Sequence, residues 1–465
     1  MLAQVNLAAL LERHLGAEKV LSDSKSLAHY SRDASTYGPF PPEAVALPSS
    51  AEEVSTVLRL AYEHGFPVTP RGAGTGLTGG ALPVCGGVVL STERMQSIKL
   101  IDEENLIAVV EPGVVTGTLQ QVLAQRGLLY PPDPASLGTC SIGGNVAHNA
   151  GGPRALKYGV TREYVLGLDT VMADGSRLRS GRRTSKGVVG YDLTGLLVGS
   201  EGTLGVTTEV TLRLIPAPQA QATLMAIFRT AVDAGRAVTR ILLSGFRPCA
   251  LELVDAPSID VLRQRGNHAF PSGAGAILLC EVDEEREAMG RVLDTCARAC
   301  EQAGAIEQRH STDPQEREQL WSARRAVYPM LVKTYPRMRV EDVCVPRTRI
   351  ADALSRLDEM SAQYRIPTST LAHAGDGNLH IGLLRGVEQD REGTEERRVE
   401  EMRTDLMRTV LSLGGTLAGE HGVGYAKRSF LGWELSPEAI ALQRKMKALI
   451  DPKNLLNPQK IFTEA

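Results

Sequence analysis

Three of the nine histidines stand in two short motifs whose residue types could do acid–base or metal chemistry. One motif is His373-Ala374-Gly375-Asp376-Gly377-Asn378-Leu379-His380, and the other is Gly419-Glu420-His421-Gly422. Gly375-Asp376-Gly377-Asn378 is a strong turn signal between two apolar stretches. A turn there folds two strand ends together, so that His373 and His380 face one point. Two imidazoles and one carboxylate with an open position suit a catalytic divalent metal. Glu420 would be the third ligand, which leaves His421 as the base. The same donor set suits zinc, manganese and iron. Asp376 reads as a turn former rather than a ligand.

Glycine supplies the second chemical signal. Of 46 glycines, 20 fall within residues 72–87, 138–159 and 181–205. In Arg71-Gly72-Ala73-Gly74-Thr75-Gly76-Leu77 a glycine recurs at every second position after a strand-like stretch. Consecutive amides can then converge on one anion, because no Cβ blocks the approach. Arg71 and Thr75 could add side-chain donors to a phosphate. The spacing is neither the dinucleotide fingerprint nor a mononucleotide P-loop. In the second window, prolines 131, 132 and 134 fix an extended entry, and the small residues of 138–152 would let a flat ligand lie against the backbone. The third window centres on Gly199-Ser200-Glu201-Gly202-Thr203-Leu204-Gly205-Val206. Three such loops in one β-rich region point to one large cofactor.

The elements that must position these groups follow from periodicity. Residues 1–40 read as a helical lead-in. From 44 to 215 the pattern is short strands (44–48, 66–70, 87–91, 107–113, 166–176 and 205–215) with one clear helix, Ala51–His64. Ala173-Asp174-Gly175-Ser176 is a hairpin turn. After Pro216-Ala217-Pro218 the pattern becomes strand 223–228, helix 230–245 and strand 250–255. It then repeats as strand 276–282, helix 284–304 and strand 305–310. Further helices lie near 314–333, 347–364 and 394–413, the last densely charged and read as a solvated face. Helices alternating with strands in this way fit an α+β layer over an antiparallel sheet. No repeat of 20–50 residues occurs, so a solenoid or propeller is excluded.

The three glycine windows, with Lys157-Tyr158-Gly159 and residues 190–213, resemble the FAD-binding domain of the vanillyl-alcohol oxidase/p-cresol methylhydroxylase superfamily. The resemblance implies an α+β chain: a two-subdomain FAD-binding domain over 41–218 and a ferredoxin-like α+β substrate (cap) domain over 219–418. It also implies a C-terminal segment, 419–465, returning to the FAD domain. The first loop (Arg71, Gly72, Gly74, Thr75, Gly76, Leu77) would hold the pyrophosphate. The other two would flank adenosine and isoalloxazine through Pro132, Asp133, Gly138, Ser141, Gly144, Asn145, Asn149 and Gly151, and through Glu201, Gly202, Gly205 and Val206. Some members attach FAD to a histidine beside the first loop; residues 67–82 contain none, which favours non-covalent FAD.

The histidine motifs, with the tail Asp451-Pro452-Lys453-Asn454-Leu455-Leu456-Asn457-Pro458, resemble the D-2-hydroxyacid dehydrogenase branch. That branch includes D-lactate dehydrogenases, glycolate oxidase catalytic subunits and D-2-hydroxyglutarate dehydrogenases. The resemblance implies that His373, His380 and Glu420 bind a divalent ion, zinc first with manganese or iron as alternatives. It gives His421 the substrate proton and Arg324, in Leu320-Trp321-Ser322-Ala323-Arg324, the substrate carboxylate. A bidentate guanidinium–carboxylate pair serves that purpose. Glu341-Asp342-Val343-Cys344-Val345-Pro346 resembles the strand of mitochondrial-type D-lactate dehydrogenases. No lysine occurs from 334 to 425, which lowers the case for a dicarboxylate. The expected reaction is D-lactate to pyruvate.

Composition excludes other classes. Lys+Arg 51 against Asp+Glu 54 gives a net charge of −3, so no basic surface for nucleic acid is implied. Aromatics are scarce, which argues against a base-stacking platform. The seven cysteines are scattered, and Cys296 and Cys300 suit burial on one helix. Without C-x-x-C, iron–sulfur and all-cysteine zinc sites lack ligands. No apolar run crosses a bilayer and no secretory signal is legible. The expectation is a cytoplasmic enzyme, at most peripheral to the inner membrane, with a homodimer left open. Its partners would be a 2-hydroxy acid and an electron acceptor: a quinone, a cytochrome or an electron-transfer flavoprotein. A flavin subunit without catalysis would need the loops but not the His/Glu set.

Overall fold

The computed structural model describes residues 6–265, 270–386 and 393–463. Its chain divides into two compact units. One comprises the described chain up to Gly151, Gly159–Ala217 and the described residues from Glu420 onward; the other is Gly152–Tyr158 with Pro218–Gly419.

In the first unit, β1 (Val20–Leu21), β2 (Ala44–Ala46), β3 (Val68–Arg71) and β4 (Val88–Ser91) form a sheet in the order β1-β2-β4-β3. The last three are parallel. Parallel strands are covered on both faces and read as unbroken apolar runs, and every residue of β2 and β4 is buried. The crossover helix Ala51–His64 starts because Ser50 accepts the Glu53 amide and Glu52 and Glu53 favour its positive end; it stops at Gly65, whose φ of 74° is left-handed. Its Val54, Val57, Leu58 and Ala61 join Val68, Val88 and Leu90 in one core. Each of these valines and leucines contributes about 1.5–3 kcal/mol of burial. The lead-in is more than helical, since β1 adds an edge strand paired Val20 to Ala46. The C-terminal tail lies beside β3: Asn457 donates its amide to the Val68 carbonyl at 2.8 Å.

The same unit contains β5 (Ile98–Asp102), β6 (Ile107–Val110), β7 (Leu128–Leu129), β8 (Val165–Val171), β9 (Arg177–Gly181), β10 (Val206–Arg213) and β11 (Ile215–Pro216). β7 and β11 make a short ribbon, and the others form a sheet in the order β5-β6-β10-β8-β9. β10 shows half-buried alternation, with Val206, Thr208, Val210 and Leu212 inward. Short helices the pattern does not show also lie here, at Thr116–Ala124, Ile142–His148 and Leu193–Leu197. They are too short for periodicity, and each contains glycine, a weak helix former. Ile142–His148 forms because Ser141 accepts the Gly144 amide, and it ends at left-handed Asn149.

The second unit is built on β12 (Ala220–Phe228), β13 (Ala250–Asp255), β14 (Ala276–Glu284), β15 (Glu307–Ser311), β16 (Arg339–Cys344), β17 (Thr368–His373) and β18 (Asn378–Leu383). Their order is β15-β12-β14-β13-β17-β18-β16, antiparallel throughout. The first four, with helices Ala231–Leu243 and Arg286–Gln302, follow the ferredoxin-like arrangement. On one face Met225, Ile227, Val254, Ile277 and Leu279 pack against Ile259, Leu262, Val327 and Leu331 of helices Ala256–Arg265 and Pro314–Thr334. On the other, Cys280 is hydrogen-bonded to Cys296, which together with burial raises its pKa well above the thiol range. Helix Thr394–Ser412 is solvated on one side only, since Val399, Met402, Leu406 and Val410 are buried. Its Arg403 turns inward to a 2.6 Å pair with buried Glu341.

Candidate functional site

The first glycine loop leaves β3 and crosses the start of helix Ile142–His148. A Cβ on Gly72 would fall on Ser141 Oγ, with the Gly144 amide 3.5 Å away. Gly74 is left-handed at φ 71° and covers the Arg71 guanidinium so closely that a Cβ would strike it. Arg71 itself is buried, donates to the Arg32 carbonyl at 2.7 Å and lies 5.4 Å from the Tyr30 ring. Burial pulls its pKa below the ordinary value. Arg71 therefore braces the loop from beneath, where a phosphate donor was expected. Thr75, Gly76 and Leu77 follow and are half-buried.

In the second window several expected cofactor residues hold the scaffold. Asn145 donates to Thr116 Oγ1 at 2.8 Å, and Asn149 accepts the Arg162 amide at 2.8 Å. The Pro132 carbonyl accepts from Gln120 at 3.0 Å. Asp133 is half-buried, Gly151 is buried, and Gly138 is exposed with open space where a Cβ would stand. In the third window Gly202 is left-handed, Gly205 packs on Thr170, and Val206 belongs to the core.

Glu201 serves the loop that carries the proposed base. It is buried at a left-handed φ of 52°, and its two oxygens accept the Val423 amide at 2.9 Å and the Gly424 amide at 2.7 Å. Thr78, in the glycine loop, donates its hydroxyl to the His421 carbonyl at 2.9 Å; its own carbonyl accepts the Tyr425 and Ala426 amides. Asn457 then donates to both the Gly80 and Glu201 carbonyls, at 2.9 and 2.8 Å. The His421 loop is thus stapled to the glycine loop, and His421 Nε2 lies 3.6 Å from Glu420 Oε1. Thr78 and Asn457 are not legible in the sequence, because a threonine among glycines and an Asn-Pro tail carry no acid–base signature.

In the second unit, β17 and β18 form the expected hairpin, with His373 opposite Asn378 and Leu371 opposite His380. The two imidazoles meet edge to face with centroids 4.9 Å apart. Each turns Nδ1 toward a buried carboxylate: His373 to Glu252 at 2.6 Å, and His380 to Asp342 at 3.6 Å. Register explains this, since β13 pairs Glu252 with His373 and β16 pairs Asp342 with His380. Asp342 also accepts the Gly419 amide at 3.0 Å, immediately before Glu420 in the chain. Arg324, one turn beyond Trp321 on helix Pro314–Thr334, reaches the same Glu252 through Nη2 at 2.9 Å and Nε at 3.1 Å. Beside it Glu281 accepts from Trp321 Nε1 at 2.5 Å. Glu252 was not anticipated, although a charged residue between two leucines in the strand Ala250–Asp255 is itself a signal.

Comparison with known proteins fits this geometry. Residues 217–461 match the family described as FAD linked oxidases, C-terminal domain, and residues 42–181 match the FAD binding domain. The chain belongs to the FAD-linked oxidase family and is a flavoprotein oxidoreductase in class. Among relatives, it is 40% identical to a glycolate oxidase subunit, GlcD, of Bacillus subtilis over 94% of this chain and 92% of that protein. It is 39% identical to a D-lactate dehydrogenase of Archaeoglobus fulgidus over 90% of each. The fold is shared with p-cresol methylhydroxylase, at a TM-score of 0.78 and 18% identity over 98% of this chain and 96% of that one. Among the described residues, no helix is long and apolar enough to cross a membrane.

Proposed function

We propose that this protein oxidises a short D-2-hydroxy acid to its 2-keto acid, with D-lactate to pyruvate as the preferred reaction. The observation that carries the reading is the His373–His380 pair, with carboxylates behind its Nδ1 atoms and Arg324 on the same buried Glu252. Both nearby relatives bear names of hydroxy-acid enzymes.

The donor chemistry fits a divalent metal: His373, whose Nδ1 meets Glu252 at 2.6 Å, and His380, whose Nδ1 lies 3.6 Å from Asp342, would be two ligands and Glu420 the third. The first glycine loop fits FAD, since it lies within the residues that match the FAD binding domain, and its Gly72 and Gly74 keep the main chain where a Cβ would strike Ser141 and Arg71. The lack of a histidine in 67–82 favours non-covalent attachment, with His148, whose ring lies against Gly76 and Gly80 of the first loop, as the alternative point of attachment. Bound FAD supplies the hydride acceptor at N5, and a zinc, manganese or iron ion supplies Lewis-acid polarisation of the hydroxyl. Arg324 holds the substrate carboxylate through a charge-assisted pair. His421 accepts the hydroxyl proton as the C2 hydride leaves. An external acceptor then takes the electron pair.

The test is anaerobic mixing of the purified holoprotein with D-lactate, L-lactate and glycolate while flavin absorbance is followed. D-lactate is expected to bleach the flavin fastest. Bleaching by L-lactate alone rejects the stereochemistry. Faster bleaching by glycolate favours the second reading, a glycolate oxidase subunit, for which the 40% relative speaks. His421→Ala should slow the bleaching about 10²–10⁴-fold, and undiminished bleaching rejects the base.

A further inference from the structure

We infer that Glu252 is a positioning residue that sets His373 and Arg324 together, so that ligand and substrate clamp share one anchor. This rests on the reading of the previous subsection and deepens it. Glu252 is fully buried on β13. Its two oxygens hold different partners, with Oε1 meeting His373 Nδ1 at 2.6 Å and Oε2 meeting Arg324 Nη2 at 2.9 Å and Nε at 3.1 Å.

Burying a carboxylate in this sheet is costly, and the Arg324 guanidinium on Oε2 offsets that cost. An ionised carboxylate only accepts hydrogen bonds. The proton of neutral His373 therefore sits on Nδ1 and the lone pair on Nε2, the tautomer a metal requires. On the arginine side, Glu252 occupies the Nε–Nη2 edge and fixes the plane of the fork, leaving the Nη1 edge for a substrate carboxylate. His380 has a looser arrangement, with Asp342 at 3.6 Å, so His373 is the better anchored ligand.

The consequence is a coupling: a change at Glu252 should weaken metal and substrate binding together, although it touches neither. Two measurements test it. The first follows Co²⁺ uptake by metal-free wild type, Glu252→Gln and His373→Gln through the visible absorption of the bound ion, alongside KM and kcat for D-lactate. Glu252→Gln should bind Co²⁺ about 10-fold more weakly and raise KM by a larger factor than it lowers kcat. Wild-type Co²⁺ affinity and KM in Glu252→Gln overturn the inference. Wild type that takes up no Co²⁺, or takes it up undiminished in His373→Gln, sinks the metal reading itself. The second needs no folded Glu252 variant. Two-bond ¹H–¹⁵N NMR of metal-free wild type should show His373 as the Nδ1–H tautomer, and an Nε2–H ring overturns the assignment.

Discussion

The two units build their candidate sites from opposite materials. In the first, the main chain does the work: glycines admit close approach, amides and carbonyls make the staples, and charged side chains such as Glu201 and Arg71 are turned toward backbone. In the second, rigid strands carry side chains that meet side chains, and the backbone only sets the register that brings Glu252 to His373 and Asp342 to His380. A cofactor with a long pyrophosphate-containing body is suited by convergent amides, which are numerous and fixed. A small substrate and an ion need few groups with tuned charge, which only side chains supply. The contrast predicts where substitution hurts: bulk in the first unit, charge in the second.

The largest effect should come from adding bulk to the cradle. Gly72→Val places side-chain atoms on Ser141 Oγ, and we expect purified protein without flavin absorbance but with native circular dichroism. A fully yellow Gly72→Val protein would break the claim that the main chain makes this site. Next comes Glu201→Ala, which strips the acceptor from the Val423 and Gly424 amides. Each unsatisfied buried amide costs about 1–3 kcal/mol. Amide exchange across 421–426 should accelerate at least 10-fold while β10 stays protected. Uniform acceleration would show that Glu201 supports the whole unit rather than one loop.

Legibility in the sequence follows the same division. Glycine clustering exposed the cradle as composition, and the alternating strands and helices of the second unit exposed an α+β layer on an antiparallel sheet as periodicity, while its ferredoxin-like form was implied by the resemblance. The hairpin between His373 and His380 was legible from Gly375-Asp376-Gly377-Asn378. What stayed hidden depends on register between strands far apart in sequence: Glu252 precedes His373 by 121 positions. The excursion of Gly152–Tyr158 into the second unit, where Lys157 pairs with Asp283 at 2.6 Å, also has no local signal. Arg71 shows the converse case, for its residue type suggested a ligand contact and gave no sign of its hydrogen bond to the Arg32 carbonyl.

The smallest predicted effect concerns a carboxylate that, unlike Glu252, is buried with no cation paired to it among the described residues. Asp255 accepts the Ser258 hydroxyl and amide at 2.7 and 3.1 Å and the Thr370 amide. Burial outweighs these bonds and pushes its pKa from 3.8 up to about 6. A carboxyl whose folded pKa is raised is stabilising in its neutral form. Its contribution is complete below the unfolded value near 3.8 and is lost as pH rises through about 6. The shift of roughly two units corresponds to at most about 3 kcal/mol. Asp255→Asn cannot ionise, so it should lack this loss, although its single carbonyl satisfies fewer donors at every pH. The comparison is therefore of slopes: between pH 4 and 7 the melting temperature of wild type should fall relative to Asp255→Asn. Parallel curves would mean that hydrogen bonds alone keep Asp255 ionised, and that a buried carboxylate in this sheet does not need the arginine that Glu252 has.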